Sequence, residues 1–164
     1  MAIEEINAAG GIDGKKLEYI PVDNKSETAE ATSAAMKLAE QEKVVAMLAP
    51  ATSGNSVATV QIASQHKVPM VTGSGTAPNV TVNDDGTVNE YAFRTCFIDP
   101  FQGTVAANFA TNELQAKNVA IFADNASDYA KGLAASFKET ISANGGSVVA
   151  EEAYVAKDVD FKSP

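Results

Sequence analysis

Five short runs of β-branched and apolar residues alternate with segments of helical period, and this alternation constrains the fold more than any other feature. "LEYIPV" (17–22), "VVAMLAP" (44–50), "PMVTG" (69–73), "NVAIFAD" (118–124) and "SVVAEEAYV" (147–155) are each bounded by turn residues, as strands buried in a parallel sheet are. In "SETAEATSAAMKLAEQEK" the residues Ala31, Ala34, Ala35, Leu38 and Ala39 fall at the spacing of one buried helical stripe, with Ser26 placed to cap the start. The stretch from Ser127 to Gly146 repeats the device with Ala130, Leu133, Ala134, Phe137 and Ile141, and "NGG" stops it. Strand and helix in alternation predict an α/β fold, doubly wound around parallel sheets.

Charge and length narrow the function. A net charge of −9 over 164 residues lacks the clustered Lys and Arg that nucleic-acid binding needs, so nucleic acid is excluded as a partner. The sequence has no run of about 18 apolar residues. The single cysteine, Cys96, in the strand-like "FRTCF", reads as a small buried hydrophobe. "MAIEEINAAGG" is expected to be a helix with Ile3 and Ile6 on one face, and it has neither the basic start nor the apolar core of a secretory leader. "VAKDVDFKSP" reads as the approach to a further helix, and both ends are expected to be cuts in a longer chain. The polar "NVTVNDDGTVNE" (79–90) is expected to be a surface loop.

Two turns carry the chemistry. "ATSGNS" follows "VVAMLAP" and precedes the helix "SVATVQIASQHK", at the sheet edge where ligands of doubly wound folds bind. Ser53 offers a hydroxyl and an amide, Gly54 allows close approach to the main chain, and the helix N-terminus favours a carboxylate or phosphate. The next strand ends in "GSGTAP", so that Ser74, Gly75 and Thr76 form a second small, hydroxyl-bearing turn at the same edge. Ser and Gly after a strand also serve as plain caps and turns, and spacing alone leaves both readings open.

Other motifs fail on geometry or composition. "GSGTAP" lacks the third glycine of a dinucleotide fingerprint. "TVNDDG" has Thr81 and Ala92 where a calcium loop needs its first and last acids, and no metal ligand set is expected. His66 lies in the polar tail of a helix, about 20 Å from Ser53 at 1.5 Å per residue, so the two cannot form a catalytic pair. With no nucleophile–base pair, the residues favour binding over catalysis, and no cofactor is expected.

The ordered series "AIEEINAAGGIDGKKLEYIPVDNKSETAEATSAAMKL", "LAPATSGNSVA", "VPMVTGSGTAPNV", "YAFRTCFIDPFQG" and "FADNASDYAKGLAASFKE" resembles the branched-chain amino-acid-binding protein family, the type I periplasmic solute-binding proteins of ABC transporters. The resemblance implies a two-lobed clamp, incomplete here, that captures a free amino acid outside the cytoplasm, in the periplasm or anchored at the cell surface, and passes it to an ABC permease. It places the carboxylate-binding serine at Ser53, the grip on the amino acid at Thr76 and the carbonyl facing the ammonium at Ser74, beside Gly75. Tyr129 would close over the ligand from the second lobe. Residues 1–98 would form most of lobe 1 without its first strand, residues 99–164 would open lobe 2, and Ile98 and Asp99 would be the hinge. The second-lobe acid that meets the ammonium in the family has no counterpart in this sequence. A ligand-sensing regulatory domain of the same fold is the alternative. A sheet without a central strand is expected to be unstable alone, or to form a strand-exchanged homodimer.

Overall fold

The computed structural model describes residues 2–161; Met1 and residues 162–164, the last of the expected second lobe, lie outside the described residues. Helix α1 (Ala2–Ala8) opens the chain, and α2 (Thr28–Met36) runs on into a π turn at Lys37–Gln41. Strand β1 (Met47–Leu48), helix α3 (Ser53–His66), strand β2 (Met70–Thr72) and strand β3 (Ala92–Arg94) follow. Then come α4 (Asp99–Asn108), β4 (Asn118–Asp124), α5 (Asp128–Ala143) and β5 (Ser147–Tyr154). The strands form two parallel sheets, one ordered β1-β2-β3 and the other β4-β5, as the alternation predicts.

The first core lies between the three-stranded sheet and helices α2 and α3. Met70, Ala63 and Val80 are fully enclosed, with Ala35, Met47, Ile62 and Ala92 around them. Of the stripe read on α2, Ala31 and Ala35 are buried, and Leu38 and Ala39 pack against the same cluster. Around the second sheet the packing is helix on helix. Gly103 of α4 lies so close to α5 that an added Cβ would stand 2.6 Å from the Ser136 Cβ, which only glycine permits.

Several local expectations are corrected. "LEYIPV" joins no ladder, because a strand needs a bonded neighbour and a groove separates residues 16–22 from residues 42–48. Ser26 does not cap α2: it sits in a turn at φ +59, its amide bonded to Asn24 Oδ1, and Glu27 is the N-cap. Cys96 is half-buried in a bend beyond β3, where the chain leaves the sheet for α4. Of the loop at 79–90, residues 81–90 lie at the surface while Val80 turns into the core, and the loop is pinned by a Val82–Val88 bridge and by Asp85, which accepts the Thr87 amide at 2.9 Å. His66 ends α3, thirteen residues from Ser53 at its start, and its Nε2 stands 3.4 Å from Glu40 Oε1.

Candidate functional site

The two small-residue turns are joined to each other. Ser53 Oγ accepts the Ala77 amide at 3.1 Å, and Ser74 Oγ donates to the Ala51 carbonyl at 2.7 Å. Beneath them Ser56 Oγ donates to the Pro50 carbonyl at 2.7 Å, closing the turn that precedes α3. The first helical bond of α3 runs from the Ser56 amide to the Thr52 carbonyl, so the amides of Ser53, Gly54 and Asn55 have no acceptor within the helix. A local positive end results.

Helix α5 presents a second such end. Ser127 caps it, its Oγ accepting the Ala130 amide at 3.2 Å, as the sequence reading of this helix start requires. Between the starts of α3 and α5 lies an open cleft of about 700 Å³. Ser53, Gly54 and Ser74 form one wall and Asp128 and Tyr129 the other. Tyr129 is held in place by Gln102 of α4, whose Nε2 donates to its hydroxyl at 2.9 Å. Asp124, Asp128, Glu27 and Lys157 also border the cleft, and Asp128 pairs with Lys131 at 2.8 Å. Two amide-rich helix starts beside carboxylates make a surface that takes an anionic and a cationic group together, which is the pattern of a zwitterion.

Of the residues singled out by sequence, Ser53, Ser74 and Tyr129 meet at this cleft, whereas Gly75 and Thr76 lie buried beneath the turn and do not line it. Thr76 is only 7% exposed. A Cβ at Gly75 would stand 2.9 Å from Thr72 Oγ1 and 3.0 Å from Ser56 Oγ, so glycine is required there. Ile98 and Asp99 lie where the chain passes from the first sheet to α4, with Ile98 extended as the N-cap and Asp99 already helical.

Two residues that shape the turn were missed by the sequence reading. Thr72 Oγ1 accepts the amides of Gly75, at 2.7 Å, and Ser74, at 3.3 Å. Arg94 reaches across from β3 and donates to the carbonyls of Gly75, Ala77 and Pro78 at 2.8–3.0 Å and to Thr81 Oγ1 at 2.7 Å. A hydroxyl closing a strand before "GSG" was a usable local signal for Thr72. Arg94 gave none, since its partners lie 13 to 19 residues away.

The profile of the periplasmic binding protein family matches residues 1–164, from one end of the sequence to the other. This chain belongs to the periplasmic binding protein family. Among solved structures, this family member is similar to LivJ of Streptococcus pneumoniae, a branched-chain amino acid transporter substrate binding protein crystallised with isoleucine. The identity is 47% and the TM-score 0.89, over 98% of this chain and 44% of that one. It is likewise similar to the leucine binding protein LivK of Thermotoga maritima, at 36% identity and TM-score 0.87, over 97% of this chain and 44% of that one. A Leu/Ile/Val-binding protein of Rhizobium johnstonii is 35% identical over 162 residues, 99% of this chain and 42% of the relative. The periplasmic binding protein chain described here thus spans less than half the length of these relatives.

Proposed function

We propose that the protein is the extracytoplasmic substrate-binding component of an ABC transporter and captures a free amino acid, a branched-chain one by preference, without chemical change. The observation that carries this reading is the cleft in which the starts of α3 and α5 face one another with Ser53, Ser74 and Tyr129 between them. The amides and hydroxyl at the start of α3 suit an α-carboxylate, and the aromatic ring of Tyr129 suits a cover over the ligand. The relatives named for leucine, isoleucine and valine support the same ligand class. A transport role brings an ABC permease as the partner.

In this reading residues 1–98 belong to one lobe and 99–164 to the start of another, with Ile98 and Asp99 as the crossing about which the lobes close. Thr76 would come into play at its backbone and hydroxyl as the turn meets the ligand. The isolated chain would complete its sheet by strand exchange with a second copy. Calorimetry of the full-length protein against the set of natural amino acids tests the proposal. Binding of leucine, isoleucine or valine with micromolar or tighter affinity is expected, and no heat with any amino acid would overturn it.

A further inference from the structure

Asp99 touches both halves of the cleft without lining it. Its amide donates to the Thr76 carbonyl at 3.0 Å, tying the first turn of α4 to the turn that carries Ser74 and Thr76. Its carboxylate rests on α5, where a Cβ at Gly132 would stand 2.9 Å from Asp99 Oδ2. Gly132 lies one helical turn beyond Tyr129, and Gln102, one turn beyond Asp99, holds the Tyr129 hydroxyl. The first turn of α4 is therefore a spacer between the Thr76 turn and the helix bearing the aromatic wall.

The chemistry of this spacer is costly. Asp99 is fully buried, and among the described residues neither its carboxylate oxygens nor the neighbouring Thr76 hydroxyl has a hydrogen-bond partner in good geometry. An alanine would fill the first turn of a helix at far smaller cost, because an unsatisfied buried carboxylate opposes folding. A residue that opposes folding and still sits between two binding elements is the pattern of a group kept for function.

We propose that Asp99 is a positioning residue for the cleft, setting the Thr76 turn against α5 through Gly132, so that the two walls meet the ligand in the right register when the lobes close. The inference rests on the amino-acid reading of the cleft. The groups facing Asp99 are few. Arg94 of β3 acts on it through its charge while its donors are given to the turn carbonyls. Thr76 faces it with a hydroxyl, Gly132 of α5 brings no titratable group, and Lys131 beside it pairs with Asp128.

The test is isoleucine titration calorimetry with melting curves on the full-length protein and its Asp99→Ala, Asp99→Asn, Gly132→Ala and Asp99→Ala/Gly132→Ala variants. Asp99→Ala and Gly132→Ala should each weaken isoleucine about tenfold, in the range for residues in contact, and the double variant should be no weaker than the worse single one. The second substitution has nothing left to displace. Asp99→Asn should lower affinity while raising the melting temperature at neutral pH; a merely structural residue would lower both. Unchanged affinity in folded Asp99→Ala, or additive losses in the double variant, would overturn the positioning role and leave the amino-acid reading standing. A wild-type protein that binds no amino acid would overturn both.

Discussion

At the residue scale, Ser53 and Asp99 make opposite demands on the fold. Ser53 is buried, and its hydroxyl accepts the Ala77 amide while keeping its own proton to donate. Ser53→Ala should therefore cost about 1–3 kcal/mol of amino-acid binding, the scale of a hydrogen bond to a charged group, with side-chain preference unchanged in a calorimetric panel. Burial pushes the Asp99 carboxyl up from its ordinary value, only partly offset by the Thr76 hydroxyl and the Arg94 charge. Below the ordinary carboxylate range Asp99 is protonated in both folded and unfolded chains, and no penalty exists. As pH rises between the ordinary and the raised value the unfolded chain loses its proton first, stability falls, and above the raised value the whole cost remains. The stability that Asp99→Asn gains at pH 7 should accordingly vanish below about pH 4, as melting curves across that interval would show.

At the element scale the decisive pair is α4 with α5. Gly103 and Gly132 let the two helices approach within less than a side chain's width, and Thr104 and Thr140 hydroxyls meet across them at 3.2 Å. Gly103→Ala would drive a methyl into the Ser136 Cβ and the Phe137 amide nitrogen, 2.6 and 2.8 Å away. Overpacking of this kind costs about 1–3 kcal/mol, so denaturant titration should show a lower midpoint with little change in slope. The turn after β2 is held as firmly by Thr72 and Arg94. Its rigidity comes partly from the strand that enters it, through Thr72, and partly from the neighbouring strand, through Arg94.

At the scale of the molecule the sheets have open edges among the described residues. The amides of Met47 and Ala49 bond to the carbonyls of Pro69, just before β2, and Val71 of β2 at 2.9 Å, which turns the backbone of Ala46 and Leu48 away from that strand, toward a groove of about 570 Å³. Val45 and Leu48, 89% and 74% exposed, border that groove opposite Tyr19 and Ile20, which belong to no strand. Apolar side chains beside unpaired backbone recruit another strand. The isolated 164-residue chain should therefore associate as its concentration rises in sedimentation runs. A cooperatively folding monomer across the micromolar range would contradict this.

Local pattern along the chain carries the class of the fold and the place of its turns. Periodicity and turn residues act within a few positions of one another, so the helices at Ser53–His66 and Asp128–Ala143, the strands at β2 and β4, and the small-residue turns after β1 and β2 were all legible. Ser53 and Ser74 were read as neighbours because adjacent parallel strands must end at one edge. Pairing was not legible: residues 17–22 have the composition of a strand, but a ladder needs a partner that no local pattern supplies. Nor was the burial of Thr76 and Asp99 against each other, or the reach of Arg94 across the turn. Those depend on how α4 leaves the first sheet and lies on α5, and only the tertiary packing decided them, because burial and close approach belong to surfaces that meet rather than to residues in sequence.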